Sequence, residues 1–175
     1  KNKCIINPEV ILSSSAHPAF LKATQFLNVK PIVIPTKKNY KLDLELFNNS
    51  INANTILLVG SAPNYPYGMI DPINELSKIA INHKILLHVD ACIGGFLLSY
   101  LKKLGYIIPL FDFELEGVSS LSVDLHKYAY SPKGSSVLLY RNEELRKEQF
   151  SVYPDWEGGI YGSTTFLGTK PGGIV

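Results

Sequence analysis

One lysine, two aspartates and two histidines in this chain are of the types that carbonyl chemistry uses. Lys127 closes the run Asp124-Leu125-His126-Lys127, Asp90 follows the apolar run Ile85–Val89, and His17 stands just before Pro18. A lysine amine in an enclosed pocket has a depressed pKa and condenses with a carbonyl to a Schiff base. Pyridoxal phosphate is a carbonyl cofactor that also needs a carboxylate on its pyridine nitrogen, to keep that ring an electron sink. A flat side chain against the ring face completes the set. Lys127, Asp90 and His17 match those three tasks in turn. Each has a plainer reading when taken alone. A histidine at a helix start is a cap or a surface residue, an aspartate ending a buried strand is a turn residue, and a single lysine is solvated.

The elements that must position them are legible as alternating apolar patterns. Runs of strand length occur at Glu9–Leu12, Pro31–Ile34, Thr55–Gly60, Ile85–Val89, Val118–Val123 and Ser136–Tyr140. Several are almost continuously apolar, as in strands covered on both faces. Helical patterns lie between them. One starts at Pro18 with Phe20, Leu21, Thr24 and Leu27 on one face, and another spans about Asp43–Ile51. A third starts at an Asp71 cap followed by Pro72, with Ile73, Leu76, Ile79 and Ala80 as its stripe. A Gly94-Gly95 turn precedes a helix over Phe96–Leu104, ended by Gly105, and a polar helix follows at about Asn142–Glu148. This alternation predicts an α/β fold, a mostly parallel sheet with flanking helices. In such sheets ligands bind beyond the carboxyl ends of the strands. His17, Ala62-Pro63-Asn64, Asp90 and the Asp124–Lys127 group all follow strands, which places them at one edge. After Ser151 the pattern gives way to a Gly-, Pro- and Thr-rich stretch that is either linker or functional loop.

Composition removes other classes. The chain has 175 residues, 46% of them hydrophobic and 18% charged, with a formal net charge of +2. That apolar content excludes disorder, and so small a charge gives no argument for a nucleic acid or an anionic membrane partner. Two cysteines, Cys4 and Cys92, make no disulfide framework and fit a reducing compartment. Their separation, with no histidine at ligand spacing, argues against zinc, so no metal is expected. Neither GxGxxG nor GxxxxGK[ST] occurs, which weakens a nucleotide reading. The longest apolar stretch, Ile85 to Leu101, carries His88 and Asp90 and is no membrane span. Lys1-Asn2-Lys3 leads to Pro8 without the apolar core of a signal peptide, and the sequence is expected to be the middle of a longer one.

Longer motifs carry a family resemblance. His88-Val89-Asp90-Ala91-Cys92-Ile93-Gly94-Gly95-Phe96 resembles the pyridine-binding segment of the sphingosine-1-phosphate lyase family. The stretch from Ser122-Val123-Asp124-Leu125-His126-Lys127 to Lys133-Gly134-Ser135-Ser136 resembles the segment around its Schiff-base lysine. Ser14-Ser15-Ala16-His17-Pro18-Ala19-Phe20, and Asp155-Trp156-Glu157-Gly158-Gly159 through Pro171-Gly172-Gly173, extend the match over nearly the whole chain. The resemblance implies the large domain of a fold-type I pyridoxal enzyme, here incomplete. Residues 1–150 would be its cofactor-binding part, and 151–175 a loop at the cofactor phosphate and the dimer contact.

The resemblance also implies roles. Lys127 would hold pyridoxal phosphate, Asp90 its pyridine nitrogen, and His17 its ring face, with His126 near the cofactor phosphate. Lys133 would meet the substrate phosphate. Gly162 and Ser163 would reach the cofactor phosphate of the neighbouring subunit in a homodimer. Cys92 acquires no role beyond packing. The family often has Phe-Pro-His-Gly where this chain has Tyr65-Pro66-Tyr67-Gly68, and a tyrosine is a poor base near neutral pH. The implied reaction is retro-aldol cleavage of a phosphorylated long-chain 2-amino-3-hydroxy base to an aldehyde and phosphoethanolamine. Its setting would be cytoplasmic or cytosol-facing, with any membrane anchor outside this segment. Two alternatives stay open: an amino-acid decarboxylase of the same cofactor class, and a truncated remnant without activity.

Overall fold

Runs rich in Val, Ile and Leu build the strands of a six-stranded sheet. The computed structural model describes residues 5–165. Cys4 and the Pro171-Gly172-Gly173 end of the family resemblance lie outside the described residues. In chain order the elements are β1 (Glu9–Ser13), α1 (Ala19–Leu27), β2 (Lys30–Ile34), α2 (Leu44–Asn49), β3 (Thr55–Ser61) and α3 (Ile73–His83). There follow β4 (Leu86–Asp90), α4 (Gly94–Lys103), β5 (Val118–Asp124), β6 (Ser136–Tyr140), α5 (Glu143–Lys147), β7 (Ser151–Tyr153) and β8 (Tyr161–Ser163). The sheet order is β2-β1-β3-β4-β5-β6. All neighbours are parallel except β5 and β6, so the expected α/β architecture with a mostly parallel sheet is the observed one. The chain moves from β1 out to β2 and then back past β1 to β3. That reversal opens a crevice beyond the carboxyl ends of β1 and β3.

The two faces of the sheet are covered unequally. Ile11, Leu58, Leu87, Val89, Leu121 and Val123 belong to the main core, with Phe47 of α2, Leu76 of α3 and Leu98 of α4. On the other face Val10, Leu12 and Val59 form a smaller cluster under Phe20 of α1. β1 and β3 are therefore apolar on both sides, as their continuous patterns predict. β4 and β5 differ, because the residues alternating with their core positions are His88, Asp90, Ser120, Ser122 and Asp124. This period of two lays a polar stripe on the α1 side of the sheet.

Several boundaries depart from expectation for physical reasons. α4 starts at Gly94, so the expected Gly94-Gly95 turn is the first turn of that helix. A Cβ on Gly94 would lie 2.0 Å from the Ala62 carbonyl oxygen, and one on Gly95 would lie 2.6 Å from Val123. The glycines let α4 press against the turn after β3 and against β5. Asp71 is no helix cap, since Pro72 takes that place and the Asp71 carboxylate accepts the Ser61 N–H at 2.8 Å. On α1, Pro18 is the cap residue, and only Phe20 and Thr24 of the expected stripe turn inward while Leu21 and Leu27 stay exposed. Asp43 and Asn142 do cap α2 and α5, accepting the N–H of Leu46 and of Leu145. The aperiodic stretch after Ser151 folds back on itself, pairing β7 with β8. Among the described residues no helix is long and apolar enough to cross a membrane.

Candidate functional site

β1 ends in a serine-rich turn, and His17 sits on that turn before α1. Its Nδ1 accepts the Ala19 N–H at 3.1 Å, so the ring serves the helix start and also borders a cavity. Asp90 is the last residue of β4 and is buried. Its Oδ1 accepts the Cys92 N–H at 3.1 Å and the Ser122 hydroxyl at 3.2 Å. Both donors meet one oxygen, which leaves Oδ2 for a donor from outside. Lys127 lies on the connection from β5 to β6. Its Nζ is 3.0 Å from Asp124 Oδ2 and donates to Cys92 Sγ at 2.9 Å. Asp124 Oδ1 accepts the Ser136 hydroxyl at 2.6 Å, which ties the carboxylate to both strands.

These partners change the expected electrostatics. Burial pulls the Lys127 amine down, but hydrogen bonds to Cys92 and Asp124 outweigh it and hold the amine above the ordinary lysine range. The depressed lysine expected from an enclosed pocket is therefore not found, and the side chain is 31% exposed. Burial pushes the Cys92 thiol up to about 11, which keeps it neutral at physiological pH. The anionic partner of Lys127 is thus Asp124. For Asp124 burial pushes upward, while hydrogen bonds from Ser136 and Lys127 and the nearby positive charge hold it below the usual carboxylate range.

His17, Asn64, Asp90, Cys92 and Lys127 enclose a cavity of about 380 Å³ at the crevice. An adjoining space of about 540 Å³ on the α1 side shares His17, Asp90, Cys92 and Lys127 and adds His88 and Ser122. Both fall within the ~300–1,000 Å³ of small-molecule sites. A larger groove, about 810 Å³ around Glu9 and Lys30, lies at the other end of the strands and holds none of these groups. A primary amine, a carboxylate with an open oxygen and a flat imidazole around one concavity fit pyridoxal phosphate.

The remaining expected residues lie apart. His126 Nδ1 donates to the Ser135 carbonyl at 2.6 Å, and its Nε2 is 3.6 Å from Asp124 Oδ2. Lys133 is exposed on the β5–β6 connection. Gly162 and Ser163 belong to β8, where the Ser163 hydroxyl donates to the Thr165 carbonyl at 2.7 Å. None of the four lines either space. Tyr67 stacks on Tyr40 with ring centroids 4.3 Å apart, whereas Tyr65 borders the cavity. Sequence reasoning missed His88, Ser120 and Ser122, and left Cys92 as packing. The polar positions spaced by two along β4 and β5 were the available signal.

Comparison with known proteins agrees with this geometry. Over 173 residues the chain is 50% identical to a sphingosine-1-phosphate lyase of Oryza sativa subsp. japonica, a match covering 99% of this chain and 32% of that protein. A sphingosine-1-phosphate lyase of Rattus norvegicus is 49% identical over 174 residues, with 99% and 31% covered. The structure of a sphingosine-1-phosphate lyase of Burkholderia pseudomallei K96243 superposes with a TM-score of 0.93 at 46% identity, over 96% of this chain and 39% of the other. The chain thus spans about a third of the length of the curated relatives it matches. The model of the pyridoxal-dependent decarboxylase conserved domain matches residues 1–162, and with Lys127, Asp90 and His17 gathered at one crevice, the chain belongs to that family.

Proposed function

We propose that the protein carrying this chain is a pyridoxal phosphate-dependent carbon–carbon lyase. It would cleave phosphorylated sphingoid bases to a long-chain aldehyde and phosphoethanolamine. The observation that carries the proposal is the Lys127 amine facing Asp90 and His17 across one cavity. Its likeness to sphingosine-1-phosphate lyases over 99% of its length supports the choice of substrate. When bound, pyridoxal phosphate supplies an aldehyde for an amine and a protonated ring that takes up the electron pair of the broken Cα–Cβ bond.

The chain's own groups then have defined tasks. Lys127 must shed a proton to solvent or to the incoming groups before it acts as a nucleophile, and Asp124 Oδ2 at 3.0 Å holds the ammonium in place until it does. Asp90 Oδ2 would accept from the ring nitrogen, and the His17 imidazole, which lines the same cavity, would serve the ring face. Cys92 Sγ holds the Lys127 amine at the cavity wall. Lys133 would meet the substrate phosphate and His126 would serve the cofactor phosphate, as in the family the chain resembles. Gly162 and Ser163 serve that phosphate in the partner subunit of a homodimer, where a backbone N–H and a hydroxyl suit a dianion. The protein works in or facing the cytosol.

A decarboxylase reading draws on the family and on a 38% identical probable L-aspartate decarboxylase of Pyrococcus furiosus, and it leaves Lys133 without a phosphate. The full-length protein, loaded with pyridoxal phosphate, is to be given a phosphorylated sphingoid base and, separately, glutamate. Long-chain aldehyde from the first is expected. Carbon dioxide from glutamate with no aldehyde would overturn the lyase reading. Borohydride should fix the cofactor on Lys127, and a protein that binds no more of it than Lys127→Ala would be a remnant.

A further inference from the structure

Behind Asp90 stands a chain of polar side chains that the proposed reaction does not itself use. Ser120 Oγ lies 2.8 Å from His88 Nδ1, and His88 Nε2 lies 3.3 Å from Ser122 Oγ. Ser122 Oγ in turn donates to Asp90 Oδ1 at 3.2 Å. The strands impose the line: His88 pairs with Ser120 and Asp90 with Ser122 in the β4–β5 register. His88 is 8% exposed, and its ring meets Phe20 edge-on at 5.7 Å. It also borders the space shared by Lys127 and Asp90.

Proton counting gives the line a direction. An ionised carboxylate only accepts, so the single hydroxyl proton of Ser122 is committed to Asp90. Ser122 Oγ must then accept from His88 Nε2–H. Burial holds the His88 imidazole below its usual range, which leaves it neutral with one N–H. Its Nδ1 is therefore an acceptor, and the Ser120 hydroxyl donates to it. Each donor has one acceptor, and the order admits no reversal while Asp90 is charged.

We propose that His88 and Ser122 are positioning residues that keep Asp90 Oδ1 occupied from behind, so that Oδ2 alone faces the cofactor ring nitrogen and holds it protonated. The proposal rests on the pyridoxal phosphate reading above. It assigns to His88 a task that Lys127, His17 and Asp90 do not perform. Without Ser122, Oδ1 keeps only the Cys92 N–H and the carboxylate is free to turn. Without a donor at Nε2, the Ser122 proton loses its fixed direction.

The test uses the full-length protein and cofactor carrying 15N in the pyridine ring. Wild type, Ser122→Ala, His88→Asn and His88→Gln are compared by nitrogen NMR and by cofactor dissociation constant. Glutamine can place a donor near the Nε2 position, whereas asparagine reaches only as far as Nδ1. The protonated nitrogen signal is expected in wild type and in His88→Gln. Ser122→Ala and His88→Asn should shift it toward the unprotonated position and weaken cofactor binding about tenfold, as when a ligand's supporting hydrogen bond is lost. Equal signals in all four loaded proteins, or equal behaviour of the Gln and Asn variants, would overturn the proposal. A wild type that takes up no cofactor overturns the pyridoxal phosphate reading as well, which separates the two failures.

Discussion

A lysine poised as a nucleophile and a lysine paired as a cation are different chemical objects, and Lys127 is the second. Its ammonium group is stored against Asp124 beside a neutral thiol. Replacing Asp124 by asparagine should leave the amine less basic and readier to give up its proton. Measured as the rate of cofactor uptake against pH, the variant's rise should begin at lower pH than that of wild type. Asp71 carries a separate prediction. Burial raises its carboxyl from 3.8 to about 6, so the folded state resists ionisation that the unfolded chain accepts. This group's contribution is complete below about pH 4 and is lost as pH rises toward and through 6, a loss of about 3 kcal/mol at ~1.4 kcal/mol per pKa unit. Urea midpoints for wild type and Asp71→Asn should therefore diverge between pH 4 and 7, the wild type falling relative to the variant.

At the scale of elements, close approach decides what the cavity wall looks like. α4 reaches the turn after β3 only because Gly94 lacks a Cβ, which would otherwise sit 2.0 Å from the Ala62 main-chain oxygen, which cannot swing away. Gly94→Ala should cost ~2–4 kcal/mol in chemical unfolding and weaken cofactor binding, since Cys92 and Ile93 lie just before the helix. Arg141 plays a comparable part at the far end of β5. Its guanidinium donates to the carbonyls of Val118, Phe113 and Leu115 and stacks on Phe113. A lysine cannot span that fork, and Arg141→Lys should lose ~1.5–3 kcal/mol of unfolding free energy.

These elements also show what a sequence can and cannot say. Strand and helix order was readable because a buried parallel strand needs an apolar run and its crossover needs a helix. Lys127, Asp90 and His17 were readable because strand ends share one sheet edge. The antiparallel sense of β6 was not, since Val137-Leu138-Leu139 suits either direction. Nor was the meeting of Cys92 with Lys127, which depends on the lateral register of β4 and β5 rather than on anything near either residue. Gly94 and Gly95 resembled a turn because tight packing and positive φ both call for glycine.

For the molecule as a whole, the unequal cover of the sheet matters most. β6 ends the sheet among the described residues and leaves Val137, Leu138 and Leu139 between 37% and 45% exposed. Trp156, Ile160 and Tyr161 of the β7–β8 hairpin are exposed as well. Uncovered strand edges with apolar side chains associate. The 175-residue chain should sediment as concentration-dependent oligomers, and Leu139→Lys should return it toward monomer.

The antiparallel turn from β5 into β6 has a mechanical consequence. Both feet of the connection stand side by side, because Asp124 pairs with Ser136 in the register and their side chains are bonded across the gap. Lys127 thus hangs on a staple driven into the sheet by two legs. A protease that cuts the exposed crown after Lys133 severs the chain without loosening either leg, since the five residue pairs of the β5–β6 ladder still join the pieces. Such nicked protein should run as two fragments in denaturing gel and as one particle in native gel, with the Lys127 amine still seated against Asp124.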